Sequence, residues 1–429
     1  MFSLKKAAAG VLSCTMLLGS LVISGCSDSN TSGTQSADNT SNGSSTAHQG
    51  EIKDISSVEL VKDMKIGWSL GNTLDGGNEI NRGQAPGSIE KSWGNPDTTK
   101  EMIDEIKKAG FNVLRVPTTW DWSTGEAPEY KISDEWFARV KEIVDYGMEN
   151  DMYVILNIHH ETWHDPLEAN YEAASDRLKK VWTQIGNYFK DYDEHLIFEG
   201  LNEPRVRNSD EEWNGGSDAT REVVNKLDAD FVSTIRSLDG NNKLRHLMIP
   251  GYAASSSEVA LKALKIPEND DKLIVSVHAY IPYNFALSDN KRSDKWVACK
   301  EGFTNDIDNL ADMLKTLFTD KGQAVIIGEF GARSKDNEKY RAEWAKYYVT
   351  KMKTIGVPCV WWDNGAFIGS GELFGLFDRR NLEWRYPLLK DALISASNGE
   401  YTVDGLKSDT TILDELKKDI AQSKNSSAE

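Results

Sequence analysis

The sequence predicts a single (β/α)8 barrel, an α/β fold, from three observations. Eight short segments are typical of buried parallel strands, because their apolar residues follow one another almost without interruption. Most of the intervals between them carry apolar residues at helical spacing. The strand-then-helix units extend over roughly 330 residues, which suits one barrel with long loops better than two doubly wound domains.

The predicted strands follow one another at intervals that leave room for a helix after most of them. The fifth is the weakest in apolar character. In chain order the strands are Met64 to Gly71, Val113 to Pro117, Tyr153 to His159, Leu196 to Asn202, His246 to Tyr252, Leu273 to Tyr280, Ala324 to Phe330 and Pro358 to Asp363.

The clearest helical signal lies between the first two strands. Thr98 and Glu101 have the spacing of a capping box, in which each side chain accepts a hydrogen bond from the other residue's backbone amide. The helix is expected to end at Gly110, because glycine adopts the left-handed conformation that terminates helices. The apolar residues at helical spacing between these signals are Met102, Ile103, Ile106 and Ala109.

The first fifty residues are not expected to belong to the barrel. Two lysines precede an apolar stretch from Ala7 to Ile23, and small residues follow it, a pattern typical of an export signal over residues 1–25. The end of this stretch resembles a bacterial lipobox, which implies that Cys26 carries lipid as the first residue of the mature chain. An ordinary signal peptide and an uncleaved membrane anchor are the alternatives. Residues 26–50 are rich in Ser, Thr, Asn and Gly and are predicted to form a flexible linker.

Charge and cysteine content exclude several classes of function. The formal charge of −18 becomes −20 when the two lysines of the export signal are removed, and such a field disfavours nucleic acid or anionic polysaccharide as a partner. Four cysteines are too few and too scattered for a zinc pattern or a disulfide framework. Cys14 leaves with the signal, and Cys299 and Cys359 are expected to behave as small apolar residues. A disulfide bond between the last two stays open.

Two carboxylates, Glu203 and Glu329, follow the apolar runs of the fourth and seventh predicted strands. The carboxyl ends of the strands of a barrel meet at one rim, so these side chains are expected to converge. Hydrolysis of a glycosidic bond requires an acid that protonates the leaving oxygen and a second carboxylate that meets the cationic sugar centre. The sequence therefore predicts a glycosidase with these two catalytic groups.

Short motifs lie at the ends of most predicted strands. They are Gly71-Asn72, Arg115-Val116-Pro117, His159-His160, Asn202-Glu203-Pro204, His278-Ala279-Tyr280, Gly328-Glu329-Phe330 and Trp361-Trp362. In combination they resemble glycoside hydrolase family 5, and the resemblance covers roughly Met64 to Leu389. Two further segments, Gly67 to Leu74 and Trp93 to Pro96, are similar to the subgroup rich in endoglucanases and xyloglucanases.

The resemblance implies a retaining endo-β-1,4-glucanase that acts on cellulose, mixed-linkage glucan or xyloglucan. It implies that Glu203 is the acid/base, that Glu329 is the nucleophile and that Asn72 contacts substrate. Mannan and xylan remain open as substrates, because loop shape selects among polymers. A non-catalytic glycan-binding surface lipoprotein is the alternative of another class, and the presence of both glutamates together with Arg115 and Tyr280 speaks against it.

The residues around the two glutamates have physical roles of their own. Arg115 supplies a fixed cation that keeps Glu329 ionised. Tyr280 is expected to donate its hydroxyl to Glu329, and His278, two residues earlier on the same strand face, to reach the rim network. Asn202 is expected to hold the sugar 2-hydroxyl, which requires a bulge or turn at the end of the fourth strand.

His159 and His160 lie beside these carboxylates and raise the alternative of a metal hydrolase. The zinc-like order of His, Asp and Glu ligands is missing from the sequence, so we predict contacts to sugar hydroxyls and neither a metal nor an organic cofactor. Glu199 precedes Glu203 by four residues and is expected to be structural and hydrogen-bonded, about 13 Å deeper at about 3.3 Å per residue.

Thirteen tryptophans offer flat faces for sugar rings. Trp362, at the end of the eighth strand, is the predicted platform beneath the sugar that is cleaved. The candidates for outer subsites are Trp163, Trp213 and Trp296, and those expected in the core are Trp136, Trp182 and Trp344.

The domain prediction that results is a catalytic barrel over residues 51–397 and a polar tail over residues 398–429. The tail has a short helical pattern near Leu413 to Ile420 and is too small for a carbohydrate-binding module. We expect an exported monomer, held at the bacterial cell surface or outside the cell through the lipid on Cys26 and touching the membrane only there.

Overall fold

Eight parallel strands close into a barrel in the computed structural model, which describes residues 48–415 and 417–418. The strands follow chain order around the barrel, and pairing of the eighth with the first closes it. All eight predicted strands are present. They are β1 (Ile66–Leu70), β2 (Val113–Val116), β3 (Tyr153–Asn157), β4 (Leu196–Glu199), β5 (Leu247–Ser255), β6 (Leu273–His278), β7 (Ala324–Phe330) and β8 (Cys359–Asp363).

Helices lie between consecutive strands, as the spacing predicts, and a two-stranded sheet of β9 (Phe377–Asp378) and β10 (Glu383–Trp384) follows the barrel. The helices are α1 (Ser57–Asp63), α2 (Pro86–Glu90), α3 (Lys100–Ala109), α4 (Asp134–Glu149), α5 (Tyr171–Tyr188), α6 (Asp218–Ser237), α7 (Glu258–Ala263), α8 (Tyr283–Ala286), α9 (Asn305–Leu317), α10 (Glu338–Lys353), α11 (Pro387–Asn398) and α12 (Val403–Ser408).

The apolar core has two parts because alternate strand residues point to opposite faces. Outside the barrel the strands pack against the helices, where Trp136, Trp182 and Trp344 are fully buried as predicted. Inside the barrel a separate cluster contains strand residues such as Ile155 and Ile326, and Leu60 of α1 belongs to it. Helix α1 thus covers the barrel interior at the end opposite the carboxyl ends of the strands.

The start of α3 differs from the prediction. The N-cap is Thr99, and the capping box of Thr98 with Glu101 does not form. Thr98 is instead buried, and its amide donates to Glu90 Oε1 at 2.5 Å. The same carboxylate also accepts a hydrogen bond from Arg139. A tertiary contact has replaced the local one. The predicted stop at Gly110 is confirmed, with φ 110°.

Strand β4 ends at Glu199, three residues earlier than predicted. At the next residue, Gly200, an added Cβ would lie 2.5 Å from the ring of Phe231, so the chain can pass this ring only without a side chain. Glu203 therefore lies in the loop beyond β4. On β6 and β7 a register shift beyond Val277 leaves His278 opposite Glu329.

Several sequence predictions fall at the ends of the chain. The export signal and Cys26 lie outside the described residues, and so does part of the helical pattern near residues 413–420. Leu406 of α12 is buried, and Lys407 pairs with Asp308 at 2.8 Å, so residues just beyond α11 pack on the barrel. None of the helices in the described part of the chain has the length and apolar character of a membrane span.

The two cysteines of the barrel are both free thiols, which answers the question of a disulfide bond between them. Cys359 is buried in the core, and burial raises the pKa of its thiol. Cys299 is half-buried. Both behave as the small apolar residues that the sequence predicted.

Candidate active site

The site lies at the carboxyl ends of the strands and is organised around Arg115 of β2. This side chain is fully buried, and its guanidinium donates to three acceptors. Nε reaches Glu199 Oε2 at 2.8 Å, Nη1 reaches Glu329 Oε1 at 2.6 Å, and Nη2 reaches Asn202 Oδ1 at 2.6 Å. Burial opposes its charge, but the carboxylates of Glu199 and Glu329 outweigh burial and raise the pKa of Arg115. The cation is therefore permanent, as predicted.

Glu329, on β7, has a donor on each carboxylate oxygen. Arg115 holds Oε1, and the hydroxyl of Tyr280 donates to Oε2 at 2.7 Å. Burial and the charge of Glu329 raise the pKa of Tyr280 well above its ordinary value, so that its hydroxyl stays a donor. Both contacts were predicted, and together they fix the orientation of the carboxylate and stabilise its negative charge.

Glu203 has a different environment, which contains a titratable partner. His278 Nδ1 lies 2.8 Å from Glu203 Oε1, and Arg205 Nη1 lies 3.4 Å from Oε2. Burial opposes ionisation of Glu203, but the hydrogen bond and charge of His278 oppose this effect, and the pKa of Glu203 is lowered. Burial lowers the pKa of His278 in turn, and the charges of Glu329 and Glu203 raise it above its ordinary value. In the absence of a ligand the proton of this pair therefore resides on Nδ1.

The separation of the two carboxylates indicates the stereochemical course. One oxygen of Glu203 and one of Glu329 lie within 4.8 Å of each other. Retaining glycosidases have about 5 to 5.5 Å between their carboxyl groups, whereas inverting enzymes need roughly 6.5 to 9.5 Å to admit a water. A separation of at most 4.8 Å leaves no room for such a water, so the geometry is that of direct attack.

Glu199 forms the floor of the site and is structural, as predicted. It is fully buried and accepts hydrogen bonds from Arg115, from Asn157 Nδ2 at 2.9 Å and from Ser276 Oγ at 2.7 Å. The predicted depth of about 13 Å below Glu203 is wrong, because His278 contacts Glu203 with Nδ1 while its Nε2 lies only 4.0 Å from Glu199. The strand spacing used for that figure does not apply, since β4 has already ended.

Asn202 lies in the bend after β4, as its role requires. Its Oδ1 accepts from Arg115, so its amide nitrogen is the group that remains to face a substrate. Asn72 lies at the end of β1 with φ 56°, and its backbone amide donates to Asp75 Oδ2 at 3.0 Å. Its carbonyl accepts from Asn95 Nδ2 at 2.9 Å. This loop holds Asn72 at the rim by backbone contacts.

His159 and His160 line the same cavity as Glu203. Burial and then the charge of His160 lower the pKa of His159 well below its ordinary value, so its ring is neutral. The His159 ring lies parallel to that of Trp362, with 5.7 Å between ring centroids and 4° between planes. The buried carboxylate of Asp75 lies 3.9 Å from His159 Nε2. Sequence reasoning missed Asp75, although it follows the Gly71-Asn72 motif closely.

Trp362 lies on β8 with 7% of its surface exposed. A Cβ added to Gly71 would come within 2.8 Å of its ring, so glycine is required for the ring to lie at this depth. Of the three outer candidates, Trp163 is half-buried and Trp213 is 62% exposed over the guanidinium of Arg205. Trp296 is a wrong prediction: it is buried, and its Nε1 donates to a backbone carbonyl.

Other groups of the site were not anticipated. Trp93 is 43% exposed and lies 5.6 Å from the ring of His160, and the motif Trp93 to Pro96 was its only signal. Neither ring nitrogen of the buried His164 has a hydrogen-bond partner among the described residues. Burial lowers the pKa of His164 to about 3, so its ring is neutral. It lines a cavity of about 50 Å³ that Glu203 and Arg205 also line. This cavity has room for more than one water next to the carboxylate.

A metal ion bound at this site would compete with the hydrogen bonds that the protein already makes there. Glu203, His278 and Glu329 each offer a donor atom at a distance suited to an ion. The two oxygens of Glu329 are already held by Arg115 and Tyr280. An ion on these oxygens would have to displace a permanent cation or a hydroxyl donor.

The chain is similar to known β-glucan hydrolases in sequence. The family model for cellulase, glycosyl hydrolase family 5, matches residues 75–367. Endoglucanase B of Neocallimastix patriciarum is 48% identical over 365 residues, which cover 84% of this chain and 75% of that protein. Endoglucanase A of Ruminococcus albus is 45% identical over 354 residues, which cover 81% of this chain and 94% of that protein.

Solved structures with the same fold are also similar in sequence. A GH5-4 broad-specificity endoglucanase from Ruminococcus champanellensis with bound cellotriose aligns with TM-score 0.77 and 43% identity, over 80% of this chain and 99% of that one. A family GH5 lichenase from Caldicellulosiruptor sp. F32 aligns with TM-score 0.76 and 42% identity, over 82% of this chain and 97% of that one.

Proposed function

The chain belongs to glycoside hydrolase family 5 and is an endo-β-1,4-glucanase, and from this premise we propose that Glu329 is its nucleophile and Glu203 its acid/base. The observation that carries the proposal is the unequal treatment of two neighbouring carboxylates. Glu329 is held by a permanent cation and a hydroxyl, whereas Glu203 shares a proton with His278. One carboxylate is thus held by two donors, and the other lies next to an imidazole that can pass it a proton.

The first step joins the sugar to Glu329. This carboxylate attacks the anomeric carbon while Glu203 protonates the glycosidic oxygen, and the aglycone half of the polymer leaves. Binding of the sugar removes the remaining water from Glu203, which is 14% exposed, and a drier environment favours the neutral form of both partners. The proton of the pair then moves from His278 Nδ1 to Glu203, which delivers it.

The second step reverses the roles at the same atoms. Glu203, now ionised, takes a proton from a water that attacks the anomeric carbon, and Glu329 leaves as a carboxylate. Arg115 and Tyr280 stabilise the charge that returns to Glu329. Two inversions give net retention. Arg115 acts through Glu329 and is a positioning residue.

The sugar that is cleaved is placed between Trp362 and the two glutamates. The amide nitrogen of Asn202 can donate to its 2-hydroxyl. The rings of His159 and His160, whose pKa values burial lowers, can form hydrogen bonds with the other hydroxyls. Asn72 lies at the same rim. Each of these side chains has a face or a donor left free for substrate by the contacts described above.

The substrates that we propose are unbranched β-glucans, both cellulose-type and mixed-linkage, with xyloglucan as a further candidate. Support comes from the solved neighbours, of which one is a broad-specificity endoglucanase and another a lichenase. A panel of these polymers together with mannan and xylan, with product sizes followed over time, tests the assignment. Cleavage of mannan or xylan faster than any β-glucan would contradict it.

The roles of the two glutamates are tested by azide rescue. In Glu329→Ala a small anion can enter the vacated face, so an activated β-glucoside with azide should yield an α-glycosyl azide through one displacement. In Glu203→Ala the covalent intermediate still forms, so the product should be a β-glycosyl azide. The exposed Glu126 provides the control, since Glu126→Ala should show no response to azide. Exchanged products would reverse the roles, and no rescue in either variant would contradict both.

For the cellular setting we propose an exported monomer anchored through lipid on Cys26. Support comes from the sequence alone, where an apolar stretch and two small residues precede this cysteine. Cys26→Ser should move the protein from the membrane fraction to the soluble fraction, with its activity on soluble β-glucan unchanged. Retention of the variant in membranes would contradict the lipid anchor, and size-exclusion chromatography of the released protein tests the monomer.

A further inference from the structure

A second cluster of metal-ligating side chains lies at the opposite end of the barrel from the catalytic rim. His48 is the first residue that the structure describes, Asp151 lies in the turn before β3, and His195 directly precedes β4. These positions are at the amino ends of the strands, where residues serve stability rather than catalysis. One donor atom from each of the three residues lies within 4.8 Å of the other two.

Both histidines are oriented by the same carboxylate, Asp193. His48 Nδ1 lies 2.8 Å from Asp193 Oδ2, and His195 Nδ1 lies 3.0 Å from Oδ1. A carboxylate accepts hydrogen bonds, so each Nδ1 carries its proton and each Nε2 presents a lone pair in the neutral ring. A carboxylate on the far nitrogen is the arrangement that orients histidine ligands of zinc.

The carboxylate of Asp151 faces both Nε2 atoms without a hydrogen bond to either. Asp151 Oδ1 lies 3.5 Å from His48 Nε2 and 3.8 Å from His195 Nε2, and both distances exceed those of hydrogen bonds. Ligands at about 2.0 to 2.1 Å from a tetrahedral zinc are about 3.4 Å apart. The three donors are therefore spaced as if around an ion rather than against one another.

Backbone pairing holds His48 in this position. Gln49 forms an antiparallel bridge with Tyr192, and the amide of Asp193 donates to the carbonyl of His48 at 3.0 Å. The ring of His195 also stacks on Tyr153, with 4.8 Å between centroids. Asp151 is 77% exposed, which leaves room for a water as a fourth ligand.

We infer that His48, His195 and Asp151 form a binding site for one Zn²⁺ ion, with Asp193 orienting both imidazoles. Two imidazoles and one carboxylate suit zinc among the divalent ions. The ion would link the segment at His48, which precedes the barrel, to the loops before β3 and β4. Since metal binding to a preformed site stabilises the folded state, zinc should raise the melting temperature and leave hydrolysis unchanged.

The test uses the full chain, purified in detergent without a histidine tag and dialysed against a chelator. Calorimetric titration with ZnCl₂ should give one ion per chain, and zinc at a hundredfold excess over Kd should raise Tm by about 3 °C or more. Cobalt in place of zinc should give visible absorption bands. His48→Ala, His195→Ala and Asp151→Ala should each weaken binding at least tenfold.

Asp312→Ala is the matched control, because Asp312 is 74% exposed and is distant in sequence from the site. It should bind zinc as the unaltered chain does. Hydrolytic activity of every variant on β-glucan, within twofold of the unaltered chain, verifies that each has folded. The inference is overturned if no saturable 1:1 binding occurs, if His195→Ala retains it, or if zinc inhibits hydrolysis and the three variants bind it normally.

Discussion

The hydroxyl of Tyr280 is the smallest group whose removal tests the assignment of Glu329 as nucleophile. It donates to Glu329 Oε2 at 2.7 Å, and Tyr280→Phe deletes only this donor. A hydrogen bond to a charged group contributes about 1.5 to 3 kcal/mol. Each 1.36 kcal/mol corresponds to about a factor of ten in rate. The bond is therefore expected to change a rate by about 10-fold to 150-fold.

The affected step follows from where the charge lies. In the glycosyl-enzyme Glu329 is a neutral ester, and its charge returns as the ester is hydrolysed, so loss of Tyr280 should slow the second step. With an aryl β-cellobioside whose leaving group is good, the first step stays fast. Tyr280→Phe should then show a burst of released phenol equal to the enzyme concentration, a lower kcat and a lower KM, with the sugar detectable on Glu329 by mass spectrometry.

A neighbouring tyrosine provides the control. The buried hydroxyl of Tyr348 donates to the carbonyl of Ala279 at 3.0 Å, so Tyr348→Phe also deletes one hydrogen bond close to the site but none to a carboxylate. It should change stability without a burst. A kcat of Tyr280→Phe within twofold of the unaltered enzyme would refute the reasoning. A large fall in kcat without accumulation of an ester on Glu329 would refute it as well.

Three further predictions follow from the contacts of the site. His278→Gln should move the basic limb of the pH–rate profile to lower pH, because the imidazole, whose pKa is raised, no longer holds the proton of the pair, and a carboxyl group has the lower ordinary pKa; an unchanged limb would contradict the shared proton. Trp362→Ala and Trp361→Ala should both lower the free energy of unfolding by about 3 to 5 kcal/mol, since both rings are buried. At about 20 °C both variants should remain folded despite this loss, and only Trp362→Ala should have a lower turnover. Equal turnover of the two variants would contradict the role of Trp362 as the platform for the sugar. Arg115→Met should lower the free energy of unfolding by about 3 to 5 kcal/mol in denaturant titrations, because two buried carboxylates lose their counter-charge; a stability within about 1 kcal/mol of the unaltered chain would contradict this.

Local patterns were sufficient wherever the cause of a structure is local. The eight strands were predicted because buried parallel strands need continuous apolar runs, and the stop at Gly110 because a helix end needs a left-handed residue. The pairing of Arg115 and Tyr280 with Glu329 was also predicted, because all three come from strand ends at one rim.

Prediction failed where a contact depends on the folded chain rather than on local spacing. The amide of Thr98 donates to Glu90 and not to Glu101, and Trp296 is buried in the core and does not line a subsite. The unpartnered His164 gave no sequence signal, because its burial depends on loops that only the folded barrel brings together.

The sequence by itself thus determined the barrel and the positions of the two candidate catalytic glutamates, since apolar runs and the residues at their ends are recognised without knowledge of tertiary contacts. Tertiary structure decided how the two glutamates differ. The register shift on β6 and β7 leaves His278 opposite Glu329, and the early end of β4 turns Glu203 toward the same imidazole. A pKa depends on which charges lie within a few ångströms, and such distances between strands are set by register, which the order of residues along one strand does not contain.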